Sequence, residues 1–185
     1  MNNFNLNKKI SEMFLTDARD YLKRYDILKE KSTHIGLRGK LLLELLFAIE
    51  CALKSLIYIE SEFDEKTTYD KIHTHKLLKL IDMLSTQSKN EYDKIVTTKI
   101  NHFVVDIRYQ LESEIDFRNE YGALDKKYYD TIANFDWLDN LSIQISKFME
   151  YIEKTNPFEI EIISISEINI EEEIEKHTRL VKLRN

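Results

Sequence analysis

The sequence is poor in the residues that turn or cross-link a chain. Its 185 residues include 3 Gly, 1 Pro, 1 Cys and 1 Trp. So little glycine and proline weighs against a sandwich or a barrel, which need many turns, and favours long helices. The lone cysteine, Cys51, excludes an intramolecular disulfide. No Cys cluster, Gly-rich phosphate loop or nucleophile elbow occurs. Basic residues are outnumbered, 27 Lys+Arg against 33 Asp+Glu, and the net charge of −6 argues against a broad phosphate-binding face. No basic-then-apolar leader is seen at the N-terminus, so together with the unpaired thiol a cytoplasmic location is expected.

What is present is enough to fold. Hydrophobic residues make up 43% and charged residues 32%, a globular balance. A chain of this size buries roughly 70% of its unfolded surface without staples. Leu41 to Glu62 is the most apolar stretch, with Leu41, Leu42, Leu45, Leu46, Ile49, Leu53, Leu56 and Ile57 at three- and four-residue steps. That spacing predicts a helix buried around much of its circumference. Glu44, Glu50 and Lys54 inside it are costly at bilayer depth, so a core helix is expected and no membrane span.

The fold class expected is all-α, an up-and-down bundle of about five helices over residues 1–155. Helices are predicted at about Lys8–Lys29, Leu37–Phe63, Thr74–Ser85, Glu91–Tyr121 and Asp125–Lys154, with Asn156-Pro157 as the stop. Asp64 to Ile72 reads as a loop and Ser85 to Asn90 as a polar turn. Leu78 is placed inward on the third helix, and Leu111 and Ile115 inward on the fourth; Thr74 is the candidate N-cap of the third. Gly122 is the candidate C′ residue of the fourth helix. Residues 156–185 form a tail of different character: Glu159 to Ser166 alternates with period two, a strand signal, and Glu171 to Leu183 predicts a helix that is acidic first and basic last.

Three landmarks in order carry a resemblance. Ala48-Ile49-Glu50-Cys51-Ala52-Leu53-Lys54-Ser55-Leu56-Ile57 is similar to the second-helix signature of HEPN (higher eukaryotes and prokaryotes nucleotide-binding) domains, A-x-E-x-A-L-K-x-L-L. Thr74-His75-Lys76-Leu77 resembles their T-H-D-L start to the third helix, with Lys76 at the acidic position, and Arg108-Tyr109 followed by Glu112 resembles an arginine–tyrosine pair on the fourth. The resemblance covers roughly Lys8 to Lys154. It implies a small helical bundle, a homodimer, and a setting in toxin–antitoxin pairs, phage defence or beside nucleotidyltransferases. Active members are metal-independent RNases whose motif is an arginine followed four to six residues later by a histidine. Here Ser113, Glu114 and Ile115 follow Arg108, and His102 precedes it, so that motif is absent.

The candidate residues each have two readings. Arg108 beside a core stripe needs a carboxylate, Glu112 one turn on or Glu50 of the second helix, which makes a structural bridge; alternatively its guanidinium is an anion-binding fork. Glu50 and Lys54 form an i,i+4 pair. His75 either packs at the start of the third helix or serves as a general acid–base beside a phosphodiester, with Arg108 and Tyr109 completing an RNase site. His102 and Asp106 share a face with Tyr109 and Ser113, but two ligands are too few for a structural zinc site, and no metal or cofactor is expected. The function expected first is a diverged, non-catalytic HEPN-like module. It would bind a partner protein (an antitoxin, nucleotidyltransferase or defence component), or a nucleotide or RNA. A metal-independent RNase with a rearranged His75/Arg108 site is the alternative.

Overall fold

A computed structural model describes residues 6–100, 103, 105–157 and 169–184. Their regular secondary structure is helical, with no strand among the described residues beyond one isolated bridge between Arg118 and Leu124. The all-α class therefore holds.

Two long helices make the frame. α1 spans Leu6–Lys29 and α2 spans Ile35–Glu60. A short connection and packing along their whole length make them an antiparallel pair. Small residues at the seam, Ala18, Ala48 and Ala52, let the backbones approach, and the buried hydroxyls of Ser11 and Ser55 satisfy each other at 2.9 Å. α2 is buried on nearly every side because α1, α8 (Phe135–Thr155) and the intervening short helices surround it. α8 meets α2 through Leu138, Leu141, Ile145, Phe148 and Ile152, a strict a/d repeat with every member fully buried.

Between α2 and α8 the chain differs from its apolar spacing. The stretch read as a loop contains α3 (Glu65–Lys71), because Asp64 accepts the Lys66 and Thr67 amides at 3.0 Å and nucleates a helix too short to show a period. α4 is confined to Leu77–Met83; Thr74 accepts the Lys76 amide in the turn before it rather than capping the helix itself, and Leu78 faces solvent. The segment read as a polar turn begins α5 (Thr86–Ile95), capped by the Ser85 hydroxyl.

The predicted fourth helix is broken. α5 ends at Ile95, a 3-10 turn spans Val105–Arg108, and α6 runs Gln110–Phe117. A β-branched run, Ile95-Val96-Thr97-Thr98, is a poor helix interior. Buried Gln144 of α8 completes the break: its amide oxygen accepts the Thr98 N–H and its nitrogen donates to the Thr97 hydroxyl, both at 3.0 Å. The helical phase is reset beyond that point. Ile100, Phe103 and Ile107 are buried as expected, but in α6 it is Ser113 and Phe117 that face inward. Leu111 and Ile115, expected in the core, are 66% and 67% exposed.

The predicted fifth helix also divides, into α7 (Lys126–Asp130) and α8, because Asn134 caps a new start by accepting the Trp137 amide at 3.1 Å. Gly122 does take a left-handed backbone, φ +75°, but in the turn between α6 and α7 rather than after a long helix. The period-two segment 159–166 lies outside the described residues. Beyond it, α9 (Ile170–Lys182) forms as the charge pattern implied, capped by Asn169. It docks on the bundle through buried Leu183, an Arg179–Glu65 ion pair at 2.7 Å, and a bond from Lys66 Nζ to the Leu183 carbonyl.

Candidate functional site

The middle of α2 holds the most enclosed charge cluster that the sequence reading named. The Glu50 side chain is 5% exposed. It faces the connection between α3 and α4, which carries His75. Lys54, one turn on and 12% exposed, donates to Glu50 Oε1 at 2.7 Å. His75 Nδ1 stands 3.0 and 3.1 Å from the two carboxylate oxygens, while the rest of its ring is open, with the side chain 59% exposed. A carboxylate buried this deeply is costly without partners, and here both oxygens have one. The Lys54 ammonium also lies 5.9 Å from the centre of the Phe14 ring, which stacks on Tyr58.

Cys51 is the neighbour of Glu50, and its thiol is pushed up to about 12 by burial and then by the Glu50 charge. A thiol held that high is not a nucleophile near neutral pH. Asp17 of α1 has its carboxyl raised, first by burial and then by Asp20. Among the described residues no group of three or more His, Cys, Asp or Glu side chains could hold a metal ion.

The remaining candidates lie toward the N-terminal end of α2. Gly39 is the close-approach point: a Cβ there would stand 2.9 Å from Ser113 Oγ and 3.7 Å from the Ile107 carbonyl. Ser113 is itself buried and donates to that carbonyl at 2.7 Å. So the 3-10 turn that ends in Arg108, and Tyr109 after it, pack at the Gly39 level. Gly39 and Glu50 are eleven residues apart, roughly 16 Å along the helix axis. The fold thus joins Glu50, Lys54 and His75, and sets Arg108 and Tyr109 about three turns away. The Arg108 side chain and all of His102 lie outside the described residues. Glu112 Oε2 is enclosed with no hydrogen-bond partner among the described residues, and the described partners of Glu50 are Lys54 and His75. Asp106 and Tyr109 are exposed while Ser113 is buried, so the shared polar face of an unbroken helix does not exist.

Other polar clusters had no motif to announce them. One oxygen of buried Glu44, Oε2, accepts from two nitrogens of Arg24, Nε at 2.8 Å and Nη2 at 2.7 Å, with the guanidinium stacked on Tyr21. Glu60 accepts the Ser85 amide and the Ser85 and Ser88 hydroxyls, and Ser88 continues to Tyr151, which ties α2, α5 and α8 together. The available signal was a charged residue inside the apolar α2 run.

Geometry therefore defines an all-α domain built on one enclosed helix, with a buried carboxylate cluster at its centre. In comparison with known proteins, the chain matches no family model, no curated protein and no solved structure. Among the described residues no helix is long and apolar enough to cross a membrane.

Proposed function

We propose that this chain is a diverged, non-catalytic HEPN-like module that works by binding a partner protein in a bacterial defence or toxin–antitoxin setting. The observation that carries the reading is the closure of the Glu50 cluster. Residues from two of the three stretches that carry the resemblance, 25 positions apart, meet in one network whose buried carboxylate is engaged by Lys54 and His75. Such a network fixes the α3–α4 connection against α2 and engages the carboxylate in structural contacts. The separation along α2 between His75 and the Arg108–Tyr109 segment also weighs against one catalytic cluster within a protomer.

A protein partner is favoured over RNA by the surface. α6 turns Leu111 and Ile115 to solvent beside exposed Tyr109, and the net charge is −6. The RNase alternative has one observation in its favour, the open His75 ring oriented from Nδ1 by a carboxylate, a geometry that suits acid–base work.

The test is RNA cleavage by the pure protein in EDTA, with His75→Ala alongside. The proposal expects no cleavage beyond background by either protein. Cleavage by the wild type that His75→Ala abolishes would establish the enzyme instead.

A further inference from the structure

α9 has two faces. One is anchored, by Leu183, Leu180, Arg179 and the Lys66 bond to the chain near its end. The other is apolar and open. Ile170, Ile174, His177 and Val181 recur at steps of four, three and four, and all are exposed, Ile174 at 61%. Those steps place them in one stripe, the seam that a second helix fills with knobs into holes.

The charges along α9 select what fills it. Its first half carries Glu171, Glu172, Glu173 and Glu175; its second half carries Lys176, Arg179 and Lys182, with Arg184 beyond. An antiparallel copy of the same helix lays each acidic half along a basic half, whereas a parallel copy sets like against like. Glu171 and Lys182 are eleven residues apart, close to three turns, so they flank the stripe on one side at its opposite ends. Neither joins an ion pair among the described residues. A two-fold axis near the middle of α9 brings Glu171 of each copy beside Lys182 of the other, twice over.

We propose that the open stripe of α9 is a self-association surface, on which α9 of a second copy packs antiparallel about a two-fold axis. The opposed helix dipoles favour the same direction. The proposal does not depend on the HEPN-like reading. Four stripe residues per copy make a small interface, so association is concentration-dependent.

The test is sedimentation equilibrium of the full chain over a concentration series at low salt. Wild type is expected to pass from monomer to dimer, and Ile174→Asp to weaken dimerisation by about tenfold or more, as loss of a central apolar contact does. Circular dichroism checks that this exposed substitution leaves the helices intact. Glu171→Lys and Lys182→Glu each create two like-charge contacts in a self-pair, so each alone should stay monomeric. Mixed together they make every contact opposite in sign, and the heterodimer should form. A wild type that stays monomeric, a dimer indifferent to Ile174→Asp, a dimer lost instead on Leu111→Asp, or two charge variants that fail to pair when mixed would each overturn the proposal.

Discussion

The middle and the N-terminal end of α2 hold their neighbours by different physics. At the middle, Glu50 binds Lys54 and reaches His75 in the α3–α4 connection, an electrostatic attachment centred on a buried carboxylate. At the N-terminal end, Gly39 lets the Ser113 hydroxyl approach so closely that a methyl group would meet it at 2.9 Å. One attachment needs a particular charge, and the other needs the absence of a side chain. Each fails by its own route: the first by an orphaned ion, the second by overpacking.

Breaking each attachment in turn separates them. Glu50→Leu leaves Lys54 enclosed without its carboxylate and should cost about 3 kcal/mol in urea denaturation, within the range for a broken buried pair. Gly39→Val drives a branched side chain into Ser113 Oγ and should cost about 1–3 kcal/mol, with loss of the Ser113 bond to the Ile107 carbonyl as its local signature. His75→Ala at the exposed rim of the Glu50 cluster should cost less than about 1 kcal/mol, since its ring gives up little buried contact. A His75 effect as large as that of Glu50→Leu would mean the histidine, rather than Lys54, is the partner that matters.

Outer attachments sharpen the contrast through pH. The Glu65 carboxyl is held below its ordinary value, chiefly by the hydrogen bond from Arg179 that anchors α9. Burial would raise the Asp139 carboxyl, but bonds from Lys29 and Tyr25 outweigh it and leave it lowered, tying α8 to α1. Because both folded values lie below the unfolded ones, their contribution is complete above about pH 5 and is lost as the pH falls through the folded values. Acidification from pH 5 to pH 3 should therefore loosen α9 before the α1–α2 frame, which amide exchange monitored by NMR can follow. Asp17 works the other way: its raised carboxyl costs stability once ionised, so Asp17→Asn should raise the melting temperature slightly at pH 7.

How much was legible in the sequence follows the same division. α1, α2 and α8 could be read because each buries a continuous stripe whose period survives over several turns, and α9 because its charges run from acidic to basic. The class, the centrality of α2 and the Glu50–Lys54 pair came with them. Residues 96–134 could not be read so simply. Ile100, Phe103 and Ile107 keep helical spacing although none of the three is α-helical, and buried Gln144, forty-six residues after Thr98 in sequence, holds the backbone at Thr98. A period cannot report a partner that far along the chain. The short helices α3 and α5 were signalled only by their caps, Asp64 and Ser85. The meeting of His75 with Glu50 was hidden for a like reason, since no spacing rule spans 25 residues and a loop.

A double-mutant cycle on Glu50 and Lys54 tests the closed cluster most directly. Stability by urea denaturation would be measured for wild type, Glu50→Leu, Lys54→Met and the pair. If the two side chains form one buried ion pair, the double variant should lose far less than the sum of the singles, with a coupling of about 1–3 kcal/mol. Additivity within about 0.5 kcal/mol would show that they act independently, and the account of a self-contained structural cluster at the centre of α2 would be wrong.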